Sequence, residues 1–436
     1  MSDFQNVLDI ILSQIEFMDL HKYLYSESER AFTRTQKLDF KNTILLMLGM
    51  QDRTLSKELY DAEMDISVSG FTKRRDQLKP ETFSDLFHRT AVQFPVTETL
   101  DGMRLLAVDG TMFPLLSWKD SKFNYVDNSN VLHREMYVHL LYDTENRLVL
   151  DAVIDSKQGI DERSAAYIMI ERYSGQKALL TGDRGYISYN LLEYIKRNGR
   201  FEFLFRTPNR NTFKEISDLP MEELDADVTV TVCSRSQQYC DIYGYRHMAG
   251  DSPFGKDKKR VNWDFGKEPS ELRYRVVRFQ LESDEWETII TSLPRESYPP
   301  SKIKEIYFKR WGIETANRQI KYDVGALQFH SRKDSAVIKE LYIALVAFNI
   351  ALAVAMSVSL PVRKNGKKKE LKYTYQVSMS FTIHVCIGLI REIASGRSPN
   401  DPEDIINKHF IPVRPGRHFA RNVQERKPRY YLYNAA

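Results

Sequence analysis

Cysteine is almost missing from this 436-residue chain. Its three, Cys233, Cys240 and Cys386, are too few and too irregularly spaced for a disulfide framework or a zinc site. A reducing, cytosolic setting is expected. The opening residues MSDFQNVLDI have no basic stretch leading into an apolar core, so no secretory signal is expected either. The chain has no P-loop or Gly-rich nucleotide fingerprint, which argues against ATP use. It has no Ser-His-Asp or Cys-His arrangement, no internal repeat, and no low-complexity tract beyond the lysine run at 367–369. Overall charge is also small, at +4.

That charge is unevenly spread. From Ser359 onward, 15 Lys and Arg face 6 Asp and Glu, a surplus of +9 that leaves −5 for the rest. Such asymmetry fits a surface that meets a polyanion, most plausibly nucleic acid, or a solvated tail. The length and a 42% hydrophobic content suit a large core spread over about two to four domains. One apolar run, 341–362, has no charged residue up to the basic stretch RKNGKKK and is long enough to span a membrane. Asn349 in its middle and its five alanines favour a buried helix packed on a sheet instead.

Residues 1–95 read as helical, with apolar residues at helical spacing in FQNVLDIILSQI and DFKNTILLMLGM. Residues 53–78 read as helix, short turn, helix, with Ser67 or Ser69 as cap and Lys73, Arg74 and Arg75 on the second helix. This is the outline of a helix-turn-helix that sets a helix in a DNA groove, although basic helix pairs also occur in proteins that bind no DNA. From Met103 the pattern changes to three apolar runs, then helix, strand, helix and strand up to 208, the order βββαβαβ. The expected fold class is α/β: an RNase H-like mixed sheet flanked by helices, behind an all-α N-terminal DNA-binding domain. Residues 209–295 read as a β-rich insertion without helices, and helix resumes at Pro300.

Asp109, in LLAVDGT, and Asp183, in LLTGDRGY, each end an apolar strand, where α/β sheets present ligand-binding groups. Either alone is an ordinary turn or cap residue; two in equivalent places point to a metal site. A third carboxylate, Glu314, lies in YFKRWGIETANRQIK. On a helix counted from Tyr307, Arg310 falls at about −60°, Glu314 at about −20°, Lys321 at about −40° and Arg318 at about +20°. One acid among three cations and a tyrosine is either a surface face with i,i+4 pairs or a phosphate clamp around a metal ligand. Three carboxylates offer hard oxygens of the kind Mg²⁺ takes.

These residues also carry a resemblance. Tyr307, Arg310, Glu314 and Lys321 match the Y-(2)-R-(3)-E-(6)-K signature, and AVDGT and TGDRGY resemble the contexts of the two aspartates, of bacterial insertion-sequence DDE transposases. The resemblance spans about residues 100–332, with a further echo in PVRPGRHFAR. It implies Asp109, Asp183 and Glu314 as catalytic acids and ligands of two Mg²⁺ ions, which Mn²⁺ can replace. The two separations, 74 and 131 residues, agree with an insertion between the second Asp and the Glu. It further implies Arg310, Lys321 and Arg318 at DNA phosphates, Tyr307 at a phosphate near the cleavage point, and Trp286 stacked on a flipped base, unless Trp286 is a core residue. Trp311 is expected to pack on the sheet, and His133 and His139 to be structural or surface residues.

The implied activity is cut-and-paste transposition at terminal inverted repeats, by nicking, hairpin formation, hairpin opening and strand transfer. Its partners would be double-stranded transposon ends and target DNA, and a second copy of the chain in a synaptic homodimer. The setting would be bacterial cytoplasm, near the nucleoid, without a membrane. The expected domains are 1–95, 96–208, 209–295, 296–360 with the catalytic Glu, and a basic 361–436. The rival readings are a DNA-binding regulator, a host nuclease on the same fold, and a membrane protein anchored by 341–362.

Overall fold

The computed structural model describes residues 3–34, 37–248, 251–252, 261–262, 265–281, 284–358, 374–398 and 402–413. The tail sequences singled out above, RKNGKKK and most of PVRPGRHFAR, lie outside them, as does Trp263. Six helices come first: α1 (Asp3–Leu20), α2 (Lys22–Tyr25), α3 (Phe40–Leu48), α4 (Leu55–Asp61), α5 (Val68–Arg75) and α6 (Pro80–Ala91). Strands β1 (Arg104–Pro114), β2 (Asn124–Val126), β3 (Leu132–Asp143) and β4 (Leu148–Ser156) follow, then α7 (Glu162–Arg172), β5 (Ala178–Gly182), α8 (Tyr189–Asn198) and β6 (Phe201–Thr207). The next segment holds α9 (Lys214–Ser217), β7 (Leu224–Cys233), α10 (Gln237–Tyr243), β8 (Arg246–His247), β9 (Asp251–Ser252), β10 (Val261–Asn262), β11 (Ser270–Gln280) and β12 (Trp286–Thr291). The chain closes with α11 (Pro300–Lys309), α12 (Trp311–Tyr322), α13 (Asp334–Ser357), β13 (Thr374–Val377), α14 (Met379–Ala394), α15 (Glu403–Ile406) and β14 (Phe410–Val413).

The chain divides into two compact units: Met1–Pro95 with Leu115–Ser121 and Asn317–Ala436, and Val96–Pro114 with Lys122–Ala316. The first is helical, apart from the β13–β14 ribbon. Its centre is α13, packed against α1, α3, α6 and α14. Leu341, Leu345, Phe348 and Ala351 are fully buried there, and so is Asn349. With 83% of its apolar window inside the protein, this helix is the core of a helical unit. The expectation that it packs on a sheet is corrected, because its partners are helices apolar at the same 3.6-residue period.

α4 and α5 form the expected helix pair, and the Ser67 side chain caps α5 by accepting from the Gly70 N–H at 3.1 Å. The basic triplet on α5 is not a common surface. Lys73 is exposed, but Arg74 and Arg75 are buried. Arg75 pairs with Glu340 of α13 at 3.1 Å, and Arg74 lies over the Phe32 ring at 5.2 Å while donating to Gln77. The reading of Arg74 and Arg75 as DNA contacts is therefore corrected: burying a guanidinium requires a partner, and theirs are inside the unit.

The second unit is built on one mixed sheet in the order β2-β3-β1-β5-β6-β12-β11-β7-β8, with β4 beside β3. β3 runs antiparallel to β1, whereas β5 and β6 are parallel to it, as the βββαβαβ order anticipates. The insertion is no separate layer. β12 pairs antiparallel with β6 and β11 carries the sheet on to β7, while the unanticipated α9 and α10 are only 4 and 7 residues long. Segments that short fall below the length at which periodicity identifies a helix.

Side-chain alternation divides the core. Leu106, Val108, Leu180 and Phe205 join the α7 and α8 face through Ala166, Met169 and Leu192. Leu105, Leu179 and Leu204 join the other face through Ile303, Ile306 and Tyr307 of α11.

Candidate active site

Two parallel strands set the first two acids side by side. β1 and β5 pair from Arg104↔Ala178 to Ala107↔Thr181. Asp109 and Asp183 each lie two residues beyond that last pair. Asp183 directly follows the end of β5, whereas Asp109 sits midway along β1, which stays paired with β3 as far as Pro114, so the expectation that Asp109 ends its strand is corrected. Apolar residues form this interior because parallel strands are covered on both faces, so the two carboxylates mark where the cover ends. Asp183 then caps a short 3₁₀ turn, Arg184–Tyr186, accepting from the Gly185 N–H at 2.8 Å. By alternation Asp109 shares the Leu105 face, the one covered by α11.

Glu314 reaches the same place from the helical side. The expected single helix is in fact two, α11 and α12, joined at Arg310 by tight turns (Arg310 N–H to Tyr307 C=O and Ile313 N–H to Arg310 C=O, both 3.0 Å). The stripe is thereby divided. Tyr307 turns into the core, with its hydroxyl sealed from solvent and the Arg310 guanidinium 5.4 Å from its ring. Its expected phosphate contact is corrected on that ground: a phosphate has no access to a buried hydroxyl. Arg310 is also buried, and its Nη2 donates to Glu314 Oε1 at 2.8 Å. Glu314 itself keeps a 40% exposed side chain.

The charges feel one another. Burial is the largest influence on the Asp109 carboxyl and pushes it up to about 7; the Arg310 guanidinium opposes that, while Asp183 and Glu314 add to it. Thus Asp109, Asp183, Glu314 and Arg310 converge within one unit. Arg318 (exposed) and Lys321 lie further along α12 and belong to the helical unit, as do Lys73, Arg74 and Arg75. Trp286 opens β12 half-buried, its carbonyl accepting from Asn209 at 2.7 Å. Trp311 is 44% exposed with Arg310 5.6 Å from its ring, so it does not pack into the sheet as expected.

Three further residues border the aspartates without any sequence motif. The Tyr137 hydroxyl, on β3, donates to Glu162 Oε1, at the start of α7, at 3.1 Å. Glu162 is raised above the ordinary carboxylate range by burial and by Asp183. His139, expected to be structural or at the surface, is fully buried opposite Gly110 and held near 4 by burial, hence neutral. His133 pairs with Asp127 at 2.8 Å. Only the pairing of β1 with β3 reveals Tyr137 and His139 as neighbours of Asp109.

Among the described residues no group of three or more His, Cys, Asp or Glu side chains is arranged to hold a metal ion. The donor chemistry nevertheless suits a hard cation. The converging side chains offer only carboxylate oxygens, and Asp109 is held near 7 because one guanidinium does not balance its burial and two neighbouring anions.

Residues 100–350 match the family described as "Transposase DDE domain". No curated protein matches the chain. Among solved structures, a piggyBac transposase in a synaptic complex with hairpin DNA is similar at TM-score 0.49 and 10% identity, over 91% of this chain and 81% of that one.

Proposed function

The chain belongs to the transposase DDE-domain family, and from that premise we propose that it moves an insertion sequence by cut-and-paste, with Asp109, Asp183 and Glu314 as its catalytic acids. The observation that carries this reading is the convergence itself. Two aspartates on neighbouring parallel strands, Asp109 within β1 and Asp183 just past β5, come into register, and a helix-borne glutamate tied to a buried arginine is close enough to shift one of them. The three carboxylates would hold divalent ions, Mg²⁺ or Mn²⁺. Such ions would supply Lewis acidity to a water or 3′-hydroxyl and to the leaving oxygen of a phosphodiester.

The protein's own groups do the positioning. Gly185 N–H holds Asp183, and Arg310 holds Glu314. In our reading Arg318, Lys321 and Lys73 contact DNA phosphates as salt-sensitive charge contacts, while Arg310, buried against Glu314, holds that acid in place of the phosphate contact expected of it. Trp286 stacks on a base displaced from the duplex, a contact of about 1–3 kcal/mol. The sheet is an RNase H-like core. The same site performs nicking, hairpin formation, hairpin opening and strand transfer on terminal inverted repeats and target DNA, within a homodimer in the bacterial cytoplasm.

The test is incubation of purified protein with DNA carrying the element's ends and Mg²⁺. Wild type is expected to cut and join. Asp109→Asn, Asp183→Asn and Glu314→Gln are expected to bind the DNA without cutting it. Cleavage by any of the three at the wild-type rate would sink the assignment. Cutting without joining would identify a nuclease instead.

A further inference from the structure

We propose that Tyr137 and Glu162 form a clamp that positions the stretch of β1 carrying Asp109 and the turn capped by Asp183, acting from the sheet face opposite α11. The proposal rests on the reading of those aspartates as the acids of the site. Its basis is two glycines. Gly110 follows Asp109 and Gly185 lies two residues after Asp183, yet neither has the positive φ that calls for glycine. What glycine supplies at both is space. A Cβ at Gly110 would stand 2.7 Å from the Tyr137 hydroxyl and 2.9 Å from His139 Nδ1. A Cβ at Gly185 would fall on Glu162 Oε2.

The two occupants of that space are bonded to each other, Tyr137 Oη to Glu162 Oε1 at 3.1 Å. One oxygen of Glu162 thus abuts the 3₁₀ turn that Asp183 caps, and the other takes the hydroxyl resting on β1 at Gly110, next to Asp109. Neither residue is near Asp109 or Asp183 in sequence. Their meeting depends on β3 pairing with β1 and on α7 packing against β3 and the 3₁₀ turn after β5. Arg310 restrains Glu314 from the α11 face, so the three acids are braced from both sides of the sheet. Tyr137 and Glu162 are positioning residues, since what they rest against is the backbone of β1 at Gly110 and of the 3₁₀ turn at Gly185.

The experiment uses full-length protein freed of metal with a chelator and titrated with Mn²⁺ without DNA, free Mn²⁺ being followed by electron paramagnetic resonance. Tyr137→Phe and Glu162→Gln are expected to weaken Mn²⁺ binding about tenfold, within the range for partners that orient metal ligands, at an unchanged melting temperature. Cleavage of end DNA by these variants should recover at high Mn²⁺, a change in apparent affinity without a change in maximal rate. Gly185→Ala, which expels the Glu162 carboxylate while leaving both clamp residues in place, should reproduce the loss. Asp109→Asn is the reference that should abolish tight binding.

Any one of the three positioning variants that folds decides the matter. Wild-type Mn²⁺ affinity in a folded variant overturns the clamp, and so does failure of all three to fold, which would make the pair a core support. If the wild type itself bound no Mn²⁺ and cut no DNA, the functional reading would fail first and take the clamp with it. Binding by wild type, loss in Asp109→Asn and no change in the clamp variants would overturn the clamp alone.

Discussion

Asp109→Asn should stabilise the metal-free protein while abolishing its chemistry. In the fold the Asp109 carboxyl titrates at about 7 against 3.8 in a model peptide, chiefly because it is buried and secondarily because Asp183 and Glu314 outweigh part of the help from Arg310. The native state therefore holds a proton that the unfolded chain releases, and stability falls as pH rises from about 4 to about 7, then levels off. At about 1.36 kcal/mol per pK unit the full penalty is on the order of 4 kcal/mol, an upper bound because solvent still reaches part of the group. Asparagine keeps the shape without the charge. Urea unfolding of both proteins in a chelating buffer, followed across that pH range, should show curves that coincide at the acid end and separate steadily toward neutrality, with the variant more stable. Added Mg²⁺ should then raise the wild type toward the variant. A stability difference of the same size at every pH, or a less stable variant near neutrality, would refute the argument that uncompensated charge strains this site.

Three other outcomes follow from the same structure. Trp286→Ala should weaken binding of hairpin-ended DNA by about 1–3 kcal/mol while leaving binding of an intact duplex unchanged, measured by fluorescence anisotropy. Arg75→Met removes the guanidinium 3.1 Å from Glu340 but leaves it the His330 backbone N–H at 2.7 Å; the substitution should cost about 1–3 kcal/mol in thermal unfolding, whereas exposed Lys73→Ala should stay within about 0.5 kcal/mol. Burial pushes the Cys386 thiol up to about 12, so iodoacetamide should leave it unmodified in the folded protein and label it in urea, as mass spectrometry would read.

Much of the site was legible because it is built from local patterns. An apolar run leading into Asp-Gly is visible at 105–110 without any structure, and so is one ending in Gly-Asp at 178–183; the second closes β5 as expected, whereas β1 runs on past Asp109 to Pro114 because its pairing with β3 continues to Glu135. The βββαβαβ order was legible for the same reason, since periods of two and 3.6 residues distinguish strand from helix within a few turns of chain. The stripe at 307–321 was read less well. An angular count assumes an unbroken helix, and the tight turns at Arg310 divided it, sending Tyr307 into the core. Arg74 and Arg75 misled in the same manner: charge suggests a surface, but Glu340, hundreds of residues away in the chain, gives Arg75 an interior partner.

The sequence by itself determined the types of the longer elements, the two aspartates that follow apolar strand runs and the glutamate with its arginine four residues before, because each depends on neighbours within a turn or a strand. Only the tertiary structure decided that β12 and β11 extend the catalytic sheet, that the 24-residue α13 is the core of a helical unit, and that Tyr137 and Glu162 stand against Gly110 and Gly185. The reason is the range of the interactions. Register and helix-on-helix packing bring together residues that share no local period, and a glycine kept for space rather than for its φ discloses its purpose only when the side chain that fills that space is in view.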